Sequence, residues 1–191
     1  PELYLLDPDS GACREFCSPD GFLGTSGIGD MSLGGGKLWR VQGEKLYAIR
    51  LNRGDTELLC FDKQGHFSPV ARYEGIACFD LAGDRAYMVA FRDHRPQELY
   101  CQPLDGGEPQ RLTSFHDAFL KEHIVSRPEH ITFRSRTGEE VDGWIIRPTD
   151  YQPGKKYPGV LNIHGGPKAA YSAQYYHEMQ LLAAGGRFVF Y

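Results

Sequence analysis

Residues 160 to 172 read VLNIHGGPKAAYS. Val160, Leu161 and Ile163 form a short aliphatic run of strand character, and it ends in His164, Gly165, Gly166 and Pro167. Two glycines let the backbone take positive φ and let another group come close to its N–H donors. Pro167 fixes φ and stops strand pairing. A strand that opens into bare N–H groups offers what a developing oxyanion needs, because preorganised donors lower the barrier to acyl transfer. An ordinary strand-to-helix turn has the same composition, so the surrounding elements must decide.

Downstream, Ser172 is placed to cap a helix running through about Ala184, with Tyr175, Met179, Leu182 and Ala183 at helical spacing and Gly185-Gly186 as the stop. The run RFVFY then begins another strand. Strand, helix and strand with a short crossover imply a parallel pair, the opening of an α/β sheet. Upstream, residues 130–135 (HITFRS) and 140–148 (EVDGWIIRP) read as a hairpin with Gly138 at the turn, followed by a polar loop, TDYQPGKKYP.

The first two thirds have a different rhythm. GEKLYAIRL at 43–51 aligns with GDRAYMVAF at 83–91, an offset of 40, and ELLCFD at 57–62 aligns with ELYCQP at 98–103, an offset of 41. The extra residue lies in the loop around His94 to Pro96. ELYLLD at 2–7 is a third copy, separated from the others by a Gly-rich loop from Ser18 to Gly36. Each unit holds about four short strands: LWRVQ, LYAIRL, ELLCFD and SPVARY, then IACFDL, AYMVAF, ELYCQP and PQRLTS. Turns fall at Gly43-Glu44, Lys63 to Gly65, Gly83-Asp84 and Asp105 to Gly107. Four strands per unit of roughly 40 residues is the pattern of a β-propeller blade; a β-sandwich is the competing reading. The expected fold class is β plus α/β: about two and a half blades over 1–126, then the first strands and helix of an α/β-hydrolase domain over 127–191.

The segment from RPEHITFRSRTGEEVDGWIIRP through KKYPGVLNIHGGPKAAYS to the final Tyr191 resembles the prolyl oligopeptidase family of serine peptidases, family S9, in the style of its acylaminoacyl-peptidase and dipeptidyl-aminopeptidase-like branch. Gly143-Trp144 in the hairpin, the KKYP lead-in and His164 to Pro167 carry the resemblance. HGG alone also suits lipases and esterases of α/β-hydrolase fold; repeats directly upstream make the peptidase reading more specific. The resemblance implies a propeller that filters substrates by size and a Ser nucleophile on a G-x-S-x-G turn, followed by Asp and His. It also implies hydrolysis of short peptides through an acyl-enzyme, with no metal or organic cofactor. This sequence contains no G-x-S-x-G. What carries over is the oxyanion loop: the N–H donor on Gly166, freedom of the turn at Gly165, orientation of the loop by His164 and its exit at Pro167. The chain alone is expected to be inactive. An esterase with a β-rich cap and a non-catalytic propeller scaffold are the alternatives.

Other motifs point to less. GTSGIGDMSLGGGK at 24–37 fails the phosphate-loop spacing, since it has Met31 and Leu38 where Gly and Ser or Thr are needed. His116, His123 and His130 recur every seventh residue, but Pro128 interrupts a shared helix. Glu139 and Glu140 read as solvated surface. Of 191 residues, 41% are hydrophobic and 13% aromatic, and 21 Lys and Arg stand against 25 Asp and Glu, a net charge of −4. There is no basic footprint for nucleic acid or an anionic membrane, and no apolar run approaches the ~20 residues of a membrane span. Five cysteines without CxxC spacing read as reduced and mostly buried, favouring a cytosolic setting. Both ends read as cut, and open blade edges imply self-association.

Overall fold

A computed structural model describes residues 3–24, 29–166 and 169–191. The chain is mostly β-sheet with little helix. Strands β1 (Leu3–Leu6) and β2 (Cys13–Cys17) form an antiparallel pair. A second antiparallel sheet holds β3 (Phe22–Leu23), β4 (Trp39–Gln42), β5 (Lys45–Asn52), β6 (Asp55–Phe61) and β7 (Phe67–Tyr73). A third holds β8 (Gly75–Ala82), β9 (Arg85–Phe91), β10 (Glu98–Pro103) and β11 (Gln110–Arg111) in sequential order. All eight runs expected of the two repeat units are strands, joined where Gly was expected to turn the chain: Gly43 and Gly83 both have φ of 59°.

Strands β3 and β4 were not both expected, and they share one edge of β5. Phe22 and Leu23 pair with Leu51 and Arg50, while β4 pairs with 45–48. Between them the amide of Gly24 donates to the carbonyl of Ile49 (2.8 Å), and the amide of Ile49 donates to that of Leu38 (3.0 Å). The chain thus leaves the sheet and returns on either side of a single residue.

These sheets stack face to face. Ile49 and Leu58 meet Ile76, Met88 and Tyr100 of the third sheet, all buried. The opposite face of β5 and β6 buries Ala48, Leu59 and Phe61 against Leu3, Phe16 and Leu23. Because alternate residues point to opposite faces, the central strands are apolar on both. The exception is a paired one: Arg50 and Glu57 lie opposite each other in register and are both buried, with Arg50 Nε donating to Glu57 (2.9 Å).

After β11 comes the short helix α1 (Asp117–Glu122), and then the last sheet: β12 (Pro128–Arg134), β13 (Glu140–Ile146), β14 (Gly159–Leu161) and β15 (Phe188–Phe190), in the order β12-β13-β15-β14. Gly138 turns the β12–β13 hairpin with φ of 89°. Strands β14 and β15 are parallel, Val160 lying beside Val189. Helix α2 crosses between them but spans His177–Ala184, its N-cap at Tyr176 lying four residues beyond the expected cap at Ser172. Side chains compete for the backbone in the intervening turn: the amide of Ser172 donates to the Tyr176 hydroxyl (3.0 Å), and Ser172 Oγ accepts from the amide of Gln174 (3.2 Å). Met179 and Ala183 then pack on Ile146 and Val189. The cysteines are free, but Cys101 alone is buried; Cys13 is exposed and the others are half-buried. Among the described residues no helix is long and apolar enough to cross a membrane.

The connector after β11 is fastened to the third sheet by one carboxylate. Glu98 is fully buried and accepts from Thr113 Oγ1, from the amides of Phe115 (3.1 Å) and His116 (3.0 Å) and from His116 Nδ1 (3.2 Å). Burial alone would raise its pKa; the hydrogen bonds from Thr113, His116 and Phe115 outweigh that and hold it below the usual carboxylate value. A depressed pKa stabilises the fold above the unfolded value, and that contribution is lost as pH falls through the folded one. Glu98→Gln is therefore expected to cost roughly 2 kcal/mol at pH 7, with the gap to wild type shrinking below about pH 4. Urea unfolding at both pH values measures it, and a pH-independent gap contradicts the role.

Candidate active site

The apolar run at 159–163 keeps its strand pairing as far as Asn162, whose amide donates to Phe190 O (2.8 Å). Beyond it the chain runs free of the sheet. Ile163 is 78% exposed, and Gly165 and Gly166 are exposed. Among the described residues no carbonyl accepts from the amide of Gly165 or Gly166. Gly166 has φ of 127°, which a side chain would oppose. His164 Nδ1 lies 2.8 Å from the carbonyl of Gly165, and its ring meets Tyr171 edge-on at 5.2 Å. Since a carbonyl accepts, Nδ1 carries the hydrogen in that contact. Pro167 falls outside the described residues.

The base of the loop is cross-braced. The Tyr171 hydroxyl donates to Asn162 Oδ1 (2.8 Å), and Tyr171 packs with Tyr176, Tyr191 and Trp144 in a buried aromatic cluster. Its rings meet mostly edge-to-face, Tyr171 and Tyr191 at 5.2 Å and Tyr176 and Tyr191 at 5.5 Å. Burial pushes the Tyr176 phenol up to about 12, so the cluster stays uncharged at neutral pH. Beside it lies a largely apolar cavity of about 590 Å³, bordered by Phe133, Trp144, Leu161, His164, Tyr171 and Phe190.

The N-terminal sheets reach this region at several points. The β5–β6 hairpin turns at Arg53 (φ 50°) and Gly54 (φ 90°). A Cβ on Gly54 would stand 2.8 Å from the Trp144 ring and 2.9 Å from the carbonyl of Tyr171. Arg53 pairs with Glu140 (3.1 Å) and Asp142 (3.5 Å). From the loop between β3 and β4, Asp30 Oδ2 accepts the amide of Glu178 (2.7 Å) in the first turn of α2. That helix has no capping side chain of its own, so its terminal N–H donors are served from 148 residues away.

The three histidines of the seven-residue spacing do not converge. His116 serves Glu98, His123 Nδ1 contacts the carbonyl of Phe119 (3.0 Å), and His130 Nε2 contacts Asp142 (2.9 Å). Among the described residues no group of His, Cys, Asp or Glu is arranged to hold a metal ion. Glu139 and Glu140 are both exposed, Glu140 in a surface ion pair with Arg53 and Glu139 accepting from Thr137. Asn162, Tyr171, Gly54 and Asp30 escaped the sequence reading. Nothing local to Arg53-Gly54 says what that hairpin turn touches.

No family profile matches the chain. It is 37% identical over 170 residues to the uncharacterized peptidase YuxL of Bacillus subtilis strain 168, covering 86% of this chain and 26% of that protein. The acylaminoacyl peptidase of Pyrococcus horikoshii superposes with a TM-score of 0.68 at 31% identity, over 80% of this chain and 24% of that one. A puromycin hydrolase shares the fold at 20% identity, with a TM-score of 0.68 over 99% of this chain and 29% of that one. YuxL and the Pyrococcus protein are peptidases by name, and the chain spans about a quarter of the length of each. These similarities support assignment of the chain to the prolyl oligopeptidase family of serine peptidases, family S9.

The packing of Gly54 against Trp144 and Tyr171 predicts that Gly54→Ala destabilises the fold by roughly 1–3 kcal/mol, from overpacking in addition to strain at positive φ. Asp30→Ala is expected to cost about 1 kcal/mol through the lost cap. Urea unfolding measures both; wild-type midpoints in either variant would refute the contact concerned.

Proposed function

We propose that this chain supplies the closing blades of a β-propeller, residues 1–126, and the opening of an α/β-hydrolase catalytic domain, residues 127–191, to a serine peptidase acting on short peptides or acyl- and aminoacyl-peptides. A five-stranded and a four-stranded antiparallel sheet, preceded by a two-stranded one, support the count of about two and a half blades. The mixed sheet with its parallel β14–β15 pair and crossing helix supports the hydrolase start.

The reading rests on one observation above the others: two exposed glycine amides beyond the carboxyl end of β14, with no carbonyl among the described residues accepting from them. In an acyl transfer the carbonyl oxygen of the scissile bond gains negative charge as the nucleophile attacks. The amide of Gly166 donates to that oxygen, Gly165 gives the turn its freedom, and His164 holds the Gly165 carbonyl turned back so that the following amide faces outward. Such donors act mainly in the transition state, so they raise kcat rather than substrate affinity. Nucleophile, base and its orienting acid lie on other segments of the whole protein, and this chain alone turns nothing over.

The full-length protein is expected to hydrolyse aminoacyl-nitroanilides and to lose that activity on reaction with a fluorophosphonate, a serine-directed reagent. Gly166→Ala cannot keep φ near 127° and is expected to lower kcat about 10²–10³-fold with little change in KM. A G166A enzyme with wild-type kcat removes the oxyanion assignment. Cleavage of nitrophenyl esters without any nitroanilide turnover makes the protein an esterase instead.

A further inference from the structure

The two hairpin loops that occupy equivalent places in the repeats both reach the segment leaving the diglycine loop. Arg53-Gly54 in one unit corresponds to Asp93-His94 in the next, 40 residues on. All four residues have positive φ: 50° and 90° in the first, 58° and 57° in the second. Gly54 packs under the carbonyl of Tyr171. Two residues further along, His94 Nδ1 lies 3.1 Å from the carbonyl of Ala173. That oxygen can only accept, so Nδ1 carries the hydrogen.

Left-handed backbone at two successive non-glycine residues costs free energy and persists where surrounding contacts fix it. Glu74 supplies that contact. Its carboxylate accepts the His94 amide at 3.1 Å from each oxygen and lies 3.3 Å from Nδ1. The neighbouring residue of the receiving segment is gripped as well: the carboxamide of Gln174 lies against Gly75 and Gly29, where a Cβ would meet it at 2.3 and 3.2 Å. Gln174 is buried.

We propose that His94 is a positioning residue for the candidate oxyanion loop, its Nδ1–H fixing the Ala173 carbonyl and with it the outgoing end of the loop. This rests on the reading of residues 164–166 given above. The incoming end is fixed by the last sheet, through Asn162 and Phe190. The outgoing end is fixed by a different part of the chain, through His94 and the Gly54 hairpin. The placement of the glycine amides between them depends on both anchors, and a shift at Ala173 is carried through Tyr171 to the Asn162 brace and to His164.

The test uses two substitutions that both tolerate left-handed φ. His94→Gly removes the donor without adding strain, and His94→Asn keeps an N–H donor on a side chain of similar reach. In the full-length protein H94G is expected to lower kcat for an aminoacyl-nitroanilide roughly tenfold at unchanged KM, part of the effect of losing one oxyanion donor outright. H94N is expected to stay within about threefold of wild type. Hydrogen exchange of the amides at 164–166 is expected to quicken in H94G and not in H94N. Wild-type kcat and exchange in H94G, or equal losses in the two variants, would overturn the proposal. Should H94G fail to fold, H94N alone decides: loss of its activity or protection sinks the role of the donor. If the wild-type protein hydrolyses nothing, the peptidase reading fails by itself, and the exchange comparison still judges the tether.

Discussion

Val160 runs beside Val189 in the same direction, and that parallel pairing constrains the whole C-terminal part. A parallel pair cannot be joined by a tight turn, so the chain must leave β14 at its carboxyl end and travel back over the sheet before entering β15. The return is made by α2, whose Met179 and Ala183 cover Ile146 and Val189. The departure is the stretch that carries the diglycine. Pairing ends at Asn162, so the next amides have no ladder to join, and the loop comes to rest on an aromatic cluster instead. Exposed donors at this place follow from strand direction as much as from glycine.

The second organising feature is the contact of the repeat units with this crossover and with β13 beside it. Its members are small or polar: Gly54 beneath Trp144, Arg53 with Glu140 and Asp142, Asp30 at the amide of Glu178. Exposed ion pairs such as Arg53 with Glu140 contribute little individually. Shape contributes more, since the hairpin approaches so closely that a single methyl group does not fit. The crossover is held by groups from three separate loops of the N-terminal sheets, and its geometry is a property of the whole chain.

Much of the architecture was legible in the residues themselves. Gly43 and Gly83 mark hairpin turns at the same place in two units, and the β-rich runs at 46–51 and 86–91 that follow them are strands. The parallel pair follows from the strand-helix-strand order. Three features were hidden because residue type alone does not announce them. The helix start at Ser172 looked sound locally, yet Tyr176 turns its hydroxyl onto the Ser172 amide and delays the first helical turn. Strand β3 is two residues long and gains its identity from Leu51 and Arg50. The cysteines read as buried by type, whereas Cys13 faces outward at a strand end. Of the site, His164, Gly165 and Gly166 were visible as residue types in a pattern. Their braces were not, since neither Asn162 nor Asp30 carries a local sign of its partner.

Ile49 is where the excursion between β3 and β4 begins and ends. Its carbonyl takes Gly24 and its amide gives to Leu38, so both ends of the detour are knotted to one residue and the edge of β5 remains fully satisfied. Ends pinned this closely set the closure cost at the ladder itself, and doubling the length of chain between fixed ends adds only about 0.6 kcal/mol in closure entropy. The detour thus has two separate attachments: its ends complete the edge of β5, and Asp30 within it reaches across to the amide of Glu178.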